Sequence, residues 1–171
     1  NTGNYSYDVN NSNGTVNALS TGENLTETFG LVVSDGVNTS AQRSLTFKIN
    51  GNNDAPGTVA LSSSTVAENA AGATIGTLNA TDPEGNSITY SVDSSNDGDK
   101  FEIINGTTLK LKDTVSADYE AATSYSVTVN ASDSNSQSQT TLTVNVVDTP
   151  IEPGEIQVST DASNDVDAVF T

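Results

Sequence analysis

Along the chain, apolar and polar residues alternate in short runs, and clusters of Gly, Asn, Asp and Ser separate the runs. A period of two marks a half-buried strand, and helix signals are nearly absent. In Leu45-Thr46-Phe47-Lys48-Ile49 the pattern puts Leu45, Phe47 and Ile49 on one face. Upstream it predicts strands over Tyr5–Val9, Val16–Leu19 and Leu25–Ser34, the last running into Asp35-Gly36. Beyond Pro56 it predicts strands near 58–66, 74–81, 87–92, 101–104, 108–111, 124–132 and 139–147. Asn105-Gly106 joins two of these as a hairpin, because both residue types tolerate the positive φ of the favoured turns.

Short strands at this spacing predict an all-β chain of tandem Greek-key β-sandwiches. Residues 57–149 hold a complete set. Residues 1–50 hold about four strands, too few for a free-standing sandwich, and read as the second half of a repeat. An internal echo supports the division: Leu31-Val32-Val33-Ser34-Asp35 matches Val129-Asn130-Ala131-Ser132-Asp133, and Leu45-Thr46-Phe47 matches Leu142-Thr143-Val144. Residues 51–56 form a polar linker between the two. Residues 150–171 read as a second joint followed by the opening strand of a further repeat.

Composition sharpens this picture. Hydrophobic residues make up 33% and aromatics 5%, which implies thin modules with narrow cores. The formal charge is −17, from 22 acidic and 5 basic residues. Nucleic acid and anionic lipid are thereby excluded as electrostatic partners, and cations are invited. The chain has no Cys, Met, Trp or His. It lacks a disulfide framework, a thiolate nucleophile and the commonest general base, and no Ser sits in a nucleophile elbow. An enzyme is not expected. No apolar run approaches the roughly 18 residues of a helical membrane span.

Strand parity gathers the acids into two groups. With seven strands running alternately down and up, Asp82, Glu84, Asn86 and Asp133 fall at the pole where the linker enters, beside Asn52 and Asp54. Glu68, Asp118, Glu120 and Asp148 fall at the opposite pole. In Asp118-Tyr119-Glu120 an extended backbone aims both carboxylates one way and Tyr119 towards the core. Two carboxylates about 5 Å apart near a surface repel by roughly 3 kcal/mol. Ca²⁺ removes that cost and accepts six to eight oxygens, Asn and backbone carbonyls included, in flexible geometry. Asp93, Asp97, Asp99 and Asp113 read instead as local turn caps.

The segments Ala67-Glu68-Asn69, Ala80-Thr81-Asp82-Pro83-Glu84, Phe101-Glu102-Ile103, Asp118-Tyr119-Glu120 and Ala131-Ser132-Asp133 together resemble a bacterial cadherin-like repeat. Residues 1–56 resemble the C-terminal half of a VCBS repeat. The resemblance rests on Tyr5-Ser6-Tyr7, Gly22-Glu23-Asn24-Leu25-Thr26, Ser34-Asp35-Gly36 and the ending Asn50-Gly51-Asn52-Asn53-Asp54-Ala55-Pro56. Both are building blocks of giant RTX-type adhesins that Gram-negative bacteria export by type I secretion. The resemblance implies cadherin/immunoglobulin-like sandwiches, Ca²⁺ between successive modules, neighbouring repeats of the same polypeptide as partners, and an extracellular place at the bacterial cell surface. It implies a first calcium junction from Glu23, Asn52, Asp54, Asp82, Glu84 and Asp133, and a second from Glu68, Asp118, Glu120 and Asp148. The chain departs from the pattern at Asp148-Thr149-Pro150, where cadherins carry Asp-x-Asn-Asp-Asn. The expected function is a calcium-stiffened structural or adhesive segment serving attachment or biofilm formation. The alternative is a calcium-dependent module that recognises a sugar or a peptide carboxylate. With only 5 Tyr and 4 Phe, mostly at strand positions, the chain favours the structural reading.

Overall fold

The computed structural model describes residues 5–149, together with 158–160 and 166–168. It is mostly β-sheet. The first segment contains a hairpin, β1 (Asn24–Leu31) against β2 (Arg43–Asn50), paired from Asn24↔Asn50 to Leu31↔Arg43. Residues 57–149 fold into two four-stranded sheets. One is built from β3 (Ala60–Leu61), β5 (Thr74–Asn79), β8 (Thr108–Leu111) and β7 (Phe101–Ile104), in that order. The other has β4 (Thr65–Ala67), β10 (Gln137–Val147), β9 (Ser124–Ser132) and β6 (Thr89–Asn96), in that order.

The core lies between these sheets because each contributes one face of its alternation. From β9 come Tyr125, Val127, Val129 and Ala131, and from β10 come Val144 and Val146. Leu109 and Leu111 of β8, Ile75 and Leu78 of β5, and Phe101 of β7 meet them from the other side. Val66 sits in the same cluster, with Tyr90, Tyr119 and Leu142 packed half-buried against it. The three-residue step from Ile75 to Leu78 breaks the period of two. A bulge between Thr74 and Gly76 accounts for it.

Strand one is split: β3 pairs antiparallel with β5, whereas β4 crosses to the other sheet and runs parallel to β10. The crossing passes so close to Gly76 that a Cβ there would lie 2.9 Å from Ser62 Oγ and from the Ser63 nitrogen. Only glycine fits that approach. Lys110 is buried on β8, where Glu102 Oε1 at 3.0 Å and the Asp113 carboxylate neutralise it.

Four expectations are corrected. Tyr5–Val9 forms no strand: the Tyr7 ring stacks on Phe47 at 4.3 Å between centroids, and its hydroxyl donates to Glu27 Oε2 at 2.8 Å. Its alternate aromatic positions serve side-chain packing in place of a ladder. Gly14–Asn17 is a helical turn that takes up the first half of the stretch expected as strand Val16–Leu19, because Asn13 Oδ1 caps the Thr15 N–H at 2.9 Å. The strand expected through Ser34 ends at Leu31. In the C-terminal segment Val158–Thr160 pairs antiparallel with Val166–Ala168, two strands where one opening strand was expected. The joint placed at residues 150–154 lies outside the described residues.

Leu109 has no exposed surface, whereas Leu31 is 48% exposed. Leu109→Ala is expected to destabilise residues 57–149 by about 2–5 kcal/mol through transfer and cavity terms, and Leu31→Ala by less than about 0.5 kcal/mol. Urea denaturation with the m-value held as a control reads both.

Candidate metal centres

The linker is fastened on both sides. The Gly51 N–H donates to the Glu23 carbonyl at 2.9 Å, and the Asn53 N–H to Thr21 Oγ1 at 3.0 Å. A Cβ at Gly51 would lie 2.4 Å from the Leu19 and Ser20 carbonyl oxygens, so this approach demands glycine. On the far side the Asp54 N–H donates to Glu84 Oε1 at 3.2 Å, and its carbonyl accepts from Ser136 Oγ at 3.1 Å.

Two turns complete this pole. After β5, Asp82 Oδ1 accepts the N–H groups of Glu84 at 3.1 Å and Asn86 at 3.0 Å. After β9, Asp133 Oδ1 accepts those of Asn135 and Ser136, each at 2.7 Å. The second turn has a twin in the first segment, where Asp35 Oδ1 accepts the N–H groups of Val37 and Asn38. The Ser-Asp echo in the sequence therefore marks one turn geometry used twice. The two differ in burial: Asp35 is exposed and Asp133 is 5% exposed.

Asp82, Glu84, Asn86, Asp133 and Asp54 thus come from three distant segments to one place. Asn52 is exposed beside them, its amide 3.4 Å from the Asn53 carbonyl. Glu23 is also exposed, with its carboxylate accepting the Ser20 N–H at 3.0 Å in its own turn. The sequence reading passed over Asn53, Asn135 and Ser136. The Asn53 Nδ2 donates towards Asp133 Oδ2 at 2.8 Å, and its Oδ1 accepts from Asn86 and Asn135 at 3.4 and 3.3 Å. Two side-chain oxygens here are buried without a hydrogen-bond partner, Asp82 Oδ2 and Glu84 Oε2. Desolvated anionic oxygens of this kind are costly unless something positive meets them.

The other pole is tighter. Oxygens of Glu68, Glu120 and Asp148 lie within 4.8 Å of one another, the one group of three carboxylates drawn this close among the described residues. Glu68 is buried. Its Oε1 accepts the Thr149 N–H at 2.9 Å and its Oε2 the Tyr119 N–H at 3.0 Å. The shared aim of Asp118 and Glu120 needs correction. The backbone turns there, with the Ala122 N–H on the Asp118 carbonyl and the Ala121 N–H on Asp118 Oδ1. Asp118 therefore caps its own turn while Glu120 joins the cluster. Of the acids expected as local turn caps, Asp93 accepts the Ser95 N–H, whereas Asp97 holds Lys100 and reaches the Ser126 N–H on β9, and Asp113 pairs with the Lys110 ammonium.

These contacts set the electrostatics. The Asn53 amide, followed by the N–H groups of Ser136 and Asn135, holds Asp133 at about 2 against an ordinary 3.8. The Thr149 N–H, then that of Tyr119, lowers Glu68.

The cadherin domain family matches residues 62–147. Among solved structures, human protocadherin-24 EC1-2 is 26% identical over 56% of this chain and 44% of its own, with a TM-score of 0.46. Drosophila N-cadherin EC1-3 is 19% identical over 66% of this chain and 41% of its own, with a TM-score of 0.44. Mouse cadherin-23 EC22-24 is 19% identical over 75% and 42%, with a TM-score of 0.42. The chain spans less than half the length of each of these three. No curated protein sequence matches it.

Both lowered carboxylates are worth stability that is present above their unfolded values and lost as pH falls through the folded ones. In metal-free buffer, stability is expected to hold from pH 7 to about 5 and to decline progressively towards pH 2. Asp133→Asn should flatten part of that decline. Urea midpoints measured across this range check it, and parallel profiles for the two proteins would remove Asp133 from the account.

Proposed function

The chain belongs to the cadherin-domain family, and from that membership we propose that it is a calcium-stiffened structural segment of a large extracellular adhesin. Cadherin domains are adhesion modules rather than catalysts, and no helix among the described residues is long and apolar enough to cross a membrane. The observation that carries the calcium reading is the pair of buried, unpartnered oxygens on Asp82 and Glu84, facing the pole where the linker enters. An uncompensated pair of that kind fits a hard, oxygen-loving cation. Asn52, Asp54, Asp82, Glu84 and Asp133 would hold it there, and Glu23, whose backbone carbonyl accepts the Gly51 N–H, is the further ligand proposed from the first segment. Glu68, Glu120 and Asp148 would hold a second ion at the far pole, with Asp118 in the adjoining turn. Bound Ca²⁺ would supply concentrated positive charge that ties the linker to the turns after β5 and β9.

The division proposed for the chain follows. Residues 1–50 are part of a VCBS-type module, 51–56 the calcium-binding linker, 57–149 the complete cadherin-like sandwich, and 150–171 a linker and the start of the next repeat. The partners are neighbouring repeats of the same polypeptide. The surroundings we propose are a bacterial cell surface reached by type I secretion, with a role in attachment or biofilm formation. The motif content of residues 1–56 supports that setting. The structural reading is preferred over sugar or carboxylate recognition on a specific ground. The two clefts at the joint, about 380 and 460 Å³, have amides in their lining, joined by hydroxyls in the larger and by apolar side chains in the smaller, and neither has an aromatic ring.

Adding about 10 mM Ca²⁺ should stabilise the protein by roughly 1.5–3 kcal/mol per site if the affinity is that of extracellular modules. Melting curves in EDTA and in calcium test this, and superimposable curves would refute the metal reading. Asp82→Ala should remove much of the gain without unfolding residues 57–149, since it leaves Val127, Leu109 and their neighbours untouched. In small-angle scattering with calcium the variant should be bent and variable where the parent is extended. Equal extension of the two would take Asp82 out of the junction.

A further inference from the structure

An Asn followed by Gly is open to attack by its own backbone, because glycine leaves the next nitrogen unshielded and free to rotate. The chain carries this dipeptide three times, at Asn13-Gly14, Asn50-Gly51 and Asn105-Gly106. The attack closes a five-membered ring, so Cβ and the next nitrogen must lie on the same side of the Cα–C bond. That requires a ψ of about −120°, the value at the first central residue of a type II′ turn. Asn13 stands far from it, at ψ 120°, with its Oδ1 held by the Thr15 N–H at 2.9 Å. Asn50 is extended at the end of β2, and the Gly51 N–H is spent on the Glu23 carbonyl at 2.9 Å. Asn105 is placed differently. The Thr107 N–H donates to the Ile104 carbonyl at 3.3 Å, and the central residues Asn105 and Gly106 have φ of 52° and 77°, the signs of a type I′ turn. A type II′ turn keeps the positive φ at its first central position, so one flip of the Asn105–Gly106 peptide plane supplies the reactive ψ. Both residues are exposed, and a Cβ placed on Gly106 would meet nothing within 4 Å. Neither the Asn105 carboxamide nor the Gly106 N–H has a hydrogen-bond partner among the described residues.

We propose that Asn105 is a site of spontaneous deamidation and isoaspartate formation in the folded protein, and that the fold shields Asn13 and Asn50 from the same reaction. The Gly106 nitrogen attacks Asn105 Cγ. The N–Cγ bond forms, the Cγ–Nδ2 bond breaks, and ammonia leaves with the proton that the attacking nitrogen gave up. Water then opens the succinimide at either carbonyl, leaving Asp or isoaspartate with no change of oxidation state. Isoaspartate adds one methylene to the backbone of the turn that joins β7 to β8. Those strands bring Phe101, Leu109 and Leu111 to the core and set Glu102 opposite Lys110, so the change reaches the stability of residues 57–149. Calcium takes no part in this chemistry, which is independent of the function proposed above.

The whole chain is incubated at mildly alkaline pH, folded and in guanidinium chloride, and the mass gain of deamidation at each Asn is followed by peptide mass spectrometry. The tryptic fragment Phe101–Lys110 holds Asn105 as its one Asn. Unfolded, the three sites should react at similar rates. Folded, Asn105 should stay within about threefold of its unfolded rate, while Asn13 and Asn50 slow by about tenfold or more, since local opening must precede attack there. Asn105→Gly serves as the control, because a Gly-Gly turn tolerates both positive φ values and carries no carboxamide. On ageing, the parent protein should lose urea midpoint and Asn105→Gly should hold it. A tenfold slowing of Asn105 on folding would overturn the assignment, and so would Asn13 or Asn50 reacting as fast as Asn105 in the folded chain. Equal loss of midpoint in the two aged proteins would overturn the link from this turn to stability.

Discussion

An odd number of strand passes with short connections places the two acidic groups at opposite ends of the sandwich, and the rest of the molecule's chemistry follows from that. Neighbouring passes are antiparallel except where β4 lies beside β10, and there the two run the same way. Strands that run together end together, so Glu68 after β4 meets Asp148 and Thr149 after β10. The entering linker meets the turns that end β5 and β9 at the other pole. Along the eleven residues of β10 the poles stand roughly 35 Å apart. Two charge clusters that far apart do not interact through solvent, since the screening length is near 8 Å at physiological salt. Each pole has to solve its own electrostatic problem.

They solve it differently. At the far pole three carboxylates crowd together, and one of them, Glu68, spends its oxygens on the backbone N–H groups of Thr149 and Tyr119. At the linker pole the carboxylates are interleaved with neutral donors. Asp133 is wrapped by the Asn135 and Ser136 N–H groups and by the Asn53 amide, while Asp82 and Glu84 each keep one buried oxygen unspent. This pole has its carboxylates held by neutral donors and keeps two buried anionic oxygens without a partner.

The first segment is held by other means. A lone two-stranded hairpin is marginal in water. Here Phe47 is the hub of an aromatic cluster, with Tyr7 stacked on it and Tyr5 and Phe29 edge-on at 6.0 and 5.9 Å. Four of the chain's nine aromatic residues are concentrated in this one place. Phe29, Leu31, Val32 and Val33 nevertheless stay largely exposed.

Periodicity and turn chemistry were enough to place the strands of residues 57–149, because alternation is imposed locally by the pleat and punctuated by Asn, Asp and Gly. The Asn105-Gly106 hairpin and the inward faces of β9 and β10 were legible for that reason, and parity carried the acids to their poles. Tyr5–Val9 and Val16–Leu19 were misread because short alternations do not reveal whether a partner edge or a capping Asn is at hand. The crossing of strand one at Gly76 was hidden too, since it depends on a backbone from another segment. Which oxygens are spent and which remain free was beyond sequence reasoning altogether. Asp118 and Glu120 look equivalent in the chain, yet a backbone turn gives one to a local cap and the other to the cluster. Asn53 looks like one more linker polar residue. Sequence determined the strands, the turn residues and the pole at which each acid falls, all of which follow from local period and direction. Only the tertiary structure decided the partners, because a hydrogen bond forms over about 3 Å and depends on where residues some eighty positions apart come to rest.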